Sequence, residues 1–162
     1  MLNFFKKGKS QALDIYAPVN GEILRIEEVP DPVFSQKMMG EGAAVMPNGG
    51  NIVAPVNGKV LQVAPTKHAI GLLADDGTEI LIHVGLETVA LNGEGFKPAV
   101  KEGDKVSVGQ LLLEVDWDFV GANAVSTVTP IVITNSQGSG KDYVTTEVKT
   151  AVAGETVIIN VK

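Results

Sequence analysis

The sequence predicts an all-β fold: an antiparallel β-sandwich or barrel with an internally duplicated motif and only short helical turns. Three observations carry that expectation. The 18 glycines and 8 prolines of the 162-residue chain are spread throughout and cut it into short apolar runs rich in Val and Ile. Those runs are closed by Asn-Gly, Asp-Gly and Gly-Asp pairs, which supply the backbone freedom and local hydrogen bonds of tight turns. A sustained apolar period of 3.6 residues, the mark of an amphipathic helix, is hard to find.

From the N-terminus, residues 1–13 read as a flexible tail and residues 14–162 as a single domain. The tail carries Phe4, Phe5 and three lysines, which would suit an anionic membrane surface. A solvated terminus is the commoner outcome, and a signal peptide's apolar stretch and small-residue cleavage site are missing. Strands are expected at residues 23–26, 59–63, 71–73, 80–82, 110–115, 131–134, 143–148 and 156–161, each a short Val/Ile/Leu-rich run. Helical turns are expected at 31–35 and 86–91, and one short helix near 118–124, weakened by Gly121. Residues 135–141, small and polar, read as a loose loop. The duplication lies in Tyr16-Ala-Pro-Val-Asn-Gly-Glu-Ile-Leu-Arg-Ile26, which recurs as Val53-Ala-Pro-Val-Asn-Gly-Lys-Val-Leu-Gln-Val63. Each copy is a turn feeding a strand, so the two should contribute equivalent strands to the sandwich.

Composition narrows the function. Apolar residues make up 44% and charged residues 20%, enough for one folded domain with a substantial core. The net charge of −6 argues against a nucleic-acid backbone and suits docking to a basic protein surface. The chain has no cysteine, which removes disulfides, thiolate nucleophiles and zinc–thiolate sites and fits a cytoplasmic protein. No apolar run approaches the roughly 20 residues that span a bilayer. Gly138-Ser-Gly-Lys141 imitates part of a phosphate-binding loop but lacks its spacing and a following helix.

The chemistry concentrates in the two histidines. His83 lies in an apolar stretch, Ile80-Leu-Ile-His-Val-Gly85, and His68 lies fifteen residues earlier. Between them Ala74-Asp-Asp-Gly-Thr78 reads as a hairpin turn. A loop with an even number of residues would set both imidazoles on one face, with Cβ atoms about 5 Å apart if they are directly opposed. Two facing imidazoles disfavour double protonation, which keeps a lone pair on His83 near neutral pH. Two imidazoles facing each other from neighbouring strands form a reactive pair suited to nucleophilic chemistry, with the Thr66 hydroxyl placed to fix the tautomer of His68. Two other classes stay open from the residues. One is a biotinyl- or lipoyl-like carrier module, suggested by Lys101-Glu-Gly-Asp-Lys-Val-Ser-Val-Gly-Gln110 but lacking a Met-Lys-Met-like triplet. The other is a zinc-dependent hydrolase built on the two histidines and a carboxylate.

Ala17-Pro-Val-Asn-Gly21, Val29-Pro-Asp-Pro-Val-Phe-Ser-Gln-Lys-Met-Met-Gly-Glu-Gly42, Thr66-Lys-His68, Ile82-His-Val-Gly-Leu-Glu-Thr-Val89, Leu91-Asn-Gly-Glu-Gly-Phe96 and Ser126-Thr-Val-Thr-Pro-Ile-Val132 together resemble the glucose-type enzyme IIA family. That family serves the bacterial phosphoenolpyruvate-dependent sugar phosphotransferase system, and the likeness covers residues 15–161. It implies a β-sandwich phosphotransferase without a cofactor of its own. His83 would accept a phosphoryl group from HPr and pass it to the IIB domain of a sugar permease. His68 would support the transfer and Thr66 would orient His68. Pro32 stands where the family usually has an apolar residue. An apolar rim of Val33, Phe34, Met39, Val84 and Leu86, with Glu87 as a rim charge, is expected to dock HPr and IIB in turn. Zinc is expected only where a partner completes a site between His68 and His83. The expected protein is a monomeric cytoplasmic subunit, peripherally associated with a membrane permease.

Overall fold

The structure is a computed structural model that describes residues 12–162. Residues 1–11 of the expected tail lie outside the described residues, and pairing starts at Leu13, one residue before the expected domain boundary. Fourteen strands follow in chain order: β1 (Leu13–Tyr16), β2 (Asn20–Arg25), β3 (Glu41–Gly49), β4 (Ile52–Val53), β5 (Gly58–Val63), β6 (Ala69–Ala74), β7 (Glu79–His83), β8 (Phe96–Pro98), β9 (Lys105–Val106), β10 (Leu111–Val115), β11 (Thr129–Ile133), β12 (Tyr143–Thr145), β13 (Thr150–Ala151) and β14 (Val157–Val161). Among the described residues helix is confined to α1 (Pro32–Ser35), α2 (Trp117–Asn123) and the 3-10 turns Ile26–Glu28 and Thr88–Leu91. Asp31 caps α1 by accepting from Val33 N–H at 3.0 Å, and Asp116 caps α2 by accepting from Phe119 N–H at 3.1 Å.

The strands form an open eight-stranded antiparallel sheet, ordered β13-β2-β3-β11-β7-β6-β5-β9, and two three-stranded sheets, β1-β14-β12 and β4-β10-β8. This is a sandwich and not a closed barrel. The main core gathers Ile70, Leu72, Ile80, Ile82 and Ile131 from the large sheet with Ile15, Ile52, Leu112 and Ile158 from the small ones. Burying such side chains contributes about 1.5–3 kcal/mol each before entropy is charged against them. A second, smaller cluster holds Ile26, Val29, Phe34, Ala44, Leu86, Val128 and Val132. Val132 alternates with Ile131 and Ile133 of the main core, so the second cluster sits on the opposite face of the large sheet. It anchors the connection between β2 and β3, which carries α1.

The longest strand, β3, has no counterpart among the runs the sequence marks. Its Glu-Gly-Ala-Ala-Val lacks the bulk of a strand signal because its neighbours come too close. A methyl built on Gly42 would stand 2.2 Å from the Ile131 carbonyl oxygen. The expected strand at 143–148 is shorter, ending at Thr145.

The duplicated motif relates the two halves of the molecule. β2 and β5 hold equivalent places in the large sheet, each second from an edge, while β1 and β4 hold equivalent edges of the small sheets. The halves exchange reciprocal hydrogen bonds, Tyr16 N–H to the Pro55 carbonyl at 2.9 Å and Val53 N–H to the Pro18 carbonyl at 2.8 Å. The repeated asparagine has a structural reason. Asn20 Oδ1 accepts from Ala153 N–H at 2.8 Å and Asn57 Oδ1 accepts from Val108 N–H at 2.9 Å, each pinning the chain ahead of a small-sheet strand. The symmetry breaks where β2 joins β3 through α1 while β5 joins β6 through a short turn. His68 lies in that short turn, and Phe34 of α1 packs against His83.

Candidate functional site

His83 ends β7, and its neighbours Ile82 and Val84 point into the main core. Alternation along the strand therefore turns the imidazole to the outer face, beside the second cluster. There Phe34 packs against it, ring centroids 5.2 Å apart at an interplanar angle of 59°. His83 Nδ1–H donates to the Gly85 carbonyl at 2.8 Å, which leaves the lone pair on Nε2. The carbonyl is itself fixed. Gly85 has φ 79°, and a methyl built on it would meet Thr88 Cγ2 at 2.6 Å and the Ser126 carbonyl oxygen at 2.9 Å. Thr88 is fully buried and donates its hydroxyl to the Val84 carbonyl at 2.6 Å. Thr88→Val keeps the shape but strips that carbonyl of its donor. An unfolding midpoint shift equivalent to about 1–2 kcal/mol is expected in denaturant titration.

The imidazole of His68 meets that of His83 edge to face, centroids 4.8 Å apart at 80°. The pair is reached by a different route from the expected one. Ala74 N–H donates to the Thr78 carbonyl at 2.8 Å, and the loop inside that pair has three residues, Asp75-Asp76-Gly77, with Gly77 at φ 94°. This odd loop sets His83 opposite Ala69 and not opposite His68. Regular pleating would then send His68 to the other face. It lies just outside β6, after Lys67 at φ 65°, and swings back toward His83. Thr66 Oγ1 lies 2.8 Å from His68 Nδ1. Burial, followed by the charge of His83, holds the His68 pKa below the ordinary histidine value, against the backbone of Thr66. Burial likewise lowers His83, against the Gly85 hydrogen bond and the carboxylate of Asp31. Both effects favour neutral rings at pH 7.

The histidine opens on a depression of about 240 Å³ lined by Asp31, Val33, Phe34, Met39, His83 and Val89 among others. A larger groove of about 590 Å³ lies at the far end of β6, against Lys59 and Lys105, and touches neither histidine. Of the two, only the smaller is lined by a histidine. Among the described residues no three His, Cys, Asp or Glu side chains are grouped to hold a metal.

Residues 13–139 match the model of the family described as phosphoenolpyruvate-dependent sugar phosphotransferase system, EIIA 1. The chain belongs to this EIIA family. A protein of Halalkalibacterium halodurans named PTS system glucose-specific EIIA component is 50% identical over 164 residues, covering 97% of this chain and 93% of that protein. One of the same name from Staphylococcus epidermidis is 47% identical over 163 residues, covering 97% and 98%. The solved glucose permease IIA of Mycoplasma capricolum superposes with a TM-score of 0.84 at 36% identity, covering 93% of this chain and 96% of that one. As an EIIA, the chain is a component of a phosphotransferase system, and neither the carrier-module nor the zinc-hydrolase alternative gains support.

In this EIIA the expected rim needs correction. Val84 is 1% exposed in the main core and Leu86 is 3% exposed in the second cluster, so neither offers a contact surface. Phe34 is also buried and meets the site through the His83 ring. The outer surface at the depression comes from Val33, Val89, Glu87 and the half-buried Met39. Val89, 53% exposed, is absent from the rim the sequence suggests. Its signal was available: residues after the turn at Gly85 no longer follow the strand's alternation.

Proposed function

We propose that this EIIA is the phosphocarrier of a sugar uptake system, with Nε2 of His83 as the acceptor. The nitrogen attacks the phosphorus of phospho-HPr as the donor's N–P bond breaks, then yields the group to the IIB domain of a sugar permease. The single observation that supports this best is the free Nε2 lone pair, set by Nδ1–H donation to the Gly85 carbonyl. The same hydrogen bond stabilises the charge that the ring gains on phosphorylation. With Thr66 donating to its Nδ1, His68 presents Nε2–H to a phosphoryl oxygen. The shallow, largely apolar setting lets a docked partner exclude water from the phosphohistidine. Relatives at 47–50% identity are named glucose-specific, which supports glucose as the sugar carried by the system. We place the reaction in the cytoplasm, beside the membrane permease; no helix among the described residues is long and apolar enough to cross a membrane. A zinc ion between His68 and His83 would need a partner's donor and would block Nε2.

The test incubates the chain with phosphoenolpyruvate, enzyme I and HPr, and maps the modified residue. An acid-labile phosphoryl group on His83 is expected; none, or one elsewhere, would overturn the proposal. HPr and IIB should also compete for the chain, and a stable ternary complex would count against a shared rim.

A further inference from the structure

The antiparallel register from Ala69↔His83 to Leu73↔Glu79 runs without a shift. Continued by one residue, it would direct His68 away from His83. The two rings nevertheless lie 4.8 Å apart. What redirects His68 is the turn before it. The Ala64 carbonyl accepts from Lys67 N–H at 2.7 Å, while Ala64 N–H donates to the Ala69 carbonyl at 2.9 Å. His68 is therefore left between the turn and the ladder, tied through its carbonyl to Val84 N–H at 2.8 Å. Extra residues of this kind re-aim side chains near active sites.

The residue that makes the bend is Lys67, in the left-handed region at φ 65°. The turn at the other end of β6 has the same first hydrogen bond, from Gly77 N–H to the Ala74 carbonyl at 2.9 Å, and puts glycine in that conformation at φ 94°. Lysine bears a strain there that glycine avoids. Its stem is packed in return: a methyl built on Gly93 would stand 3.3 Å from Lys67 Cδ and 3.8 Å from Cγ. Among the described residues no carboxylate pairs with its ammonium group.

We propose that Lys67 is a positioning residue whose left-handed backbone, seated on Gly93, aims the His68 imidazole at His83. The claim rests on the phosphocarrier reading only for its transfer readout.

The test compares Lys67→Gly and Lys67→Asn, which tolerate this conformation, with Lys67→Ala and Lys67→Val, which resist it increasingly. Phosphoryl transfer from phospho-HPr should stay within about threefold for Gly and Asn. It should fall at least tenfold for Val, with Ala between, because misaiming a catalytic group by about an ångström costs up to about 100-fold. In a His68→Ala background the Val substitution should cost nothing further. Nuclear Overhauser contacts between the two imidazoles should persist in Gly and Asn and fade in Val. Equal losses in Gly and Val, contacts that survive Lys67→Val, or a full further loss in the His68→Ala background would each overturn the proposal. If the unaltered chain takes no phosphoryl group, the phosphocarrier reading fails while the ring contacts still decide the role of Lys67.

Discussion

His83→Gln is expected to abolish phosphoryl acceptance from phospho-HPr, leaving no acid-labile label above background. Glutamine fills similar space and can still donate to the Gly85 carbonyl, so the 2.8 Å bond that orients the ring has a substitute. What it cannot supply is a nucleophilic nitrogen. Its amide lone pair is delocalised, and the phosphoryl group has no acceptor. His68 does not compensate: it is 7% exposed, and its Nδ1 is engaged with Thr66. The fold should tolerate the change. His83 stands on the outer face, with only Phe34 and His68 against its ring among the aromatic contacts of the described residues, so a loss of about 1 kcal/mol is expected. Phosphorylation followed by peptide mapping, with circular dichroism to show a folded chain, checks both halves. Label at full stoichiometry in the variant would remove His83 as the acceptor.

How much of this was legible in the sequence depends on what kind of information each part needs. The histidine pair and its motif were legible because chemistry-bearing residues are scarce, with two histidines and no cysteine in 162 residues. The sandwich was legible because Val- and Ile-rich runs alternate with turn residues. Strand β3 was not, since its Gly42 and alanines record the closeness of β11 and not their own propensity. The rim failed through an inconsistency in alternation. If His83 faces outward, then Ile82 and Val84 must face inward, and apolar character alone does not make Val84 a surface residue. The path to the His68–His83 contact failed because register depends on loop length, and a third loop residue shifts it by one. No count of apolar residues reports that shift; the positive φ of Gly77 and Lys67 does.

The second large effect is that of His68→Ala, expected to slow phosphoryl transfer about 100-fold while leaving His83 as the modified residue. Removing one positioned donor to developing charge commonly costs a factor of that order. Binding of HPr should change little, since the buried His68 presents almost no surface to a partner. A drop in transfer rate at saturating phospho-HPr, without a matching rise in the half-saturating concentration, is the expected signature; the reverse split would make His68 a docking residue. The pH dependence follows from the same burial. Both histidines are held below their ordinary value near 6.5, with burial the leading cause. The unfolded chain therefore takes up protons before the folded one as pH falls, and stability declines between the unfolded and folded pKa values. Full stability is kept above about pH 6.5. Between pH 6.5 and 5 the melting temperature of the unaltered chain should fall more steeply than that of a His68→Gln, His83→Gln double variant, whose paired carboxylates titrate alike and cancel in the comparison. Parallel curves would mean that the rings stay solvated, and would remove the dry environment on which a long-lived phosphohistidine depends.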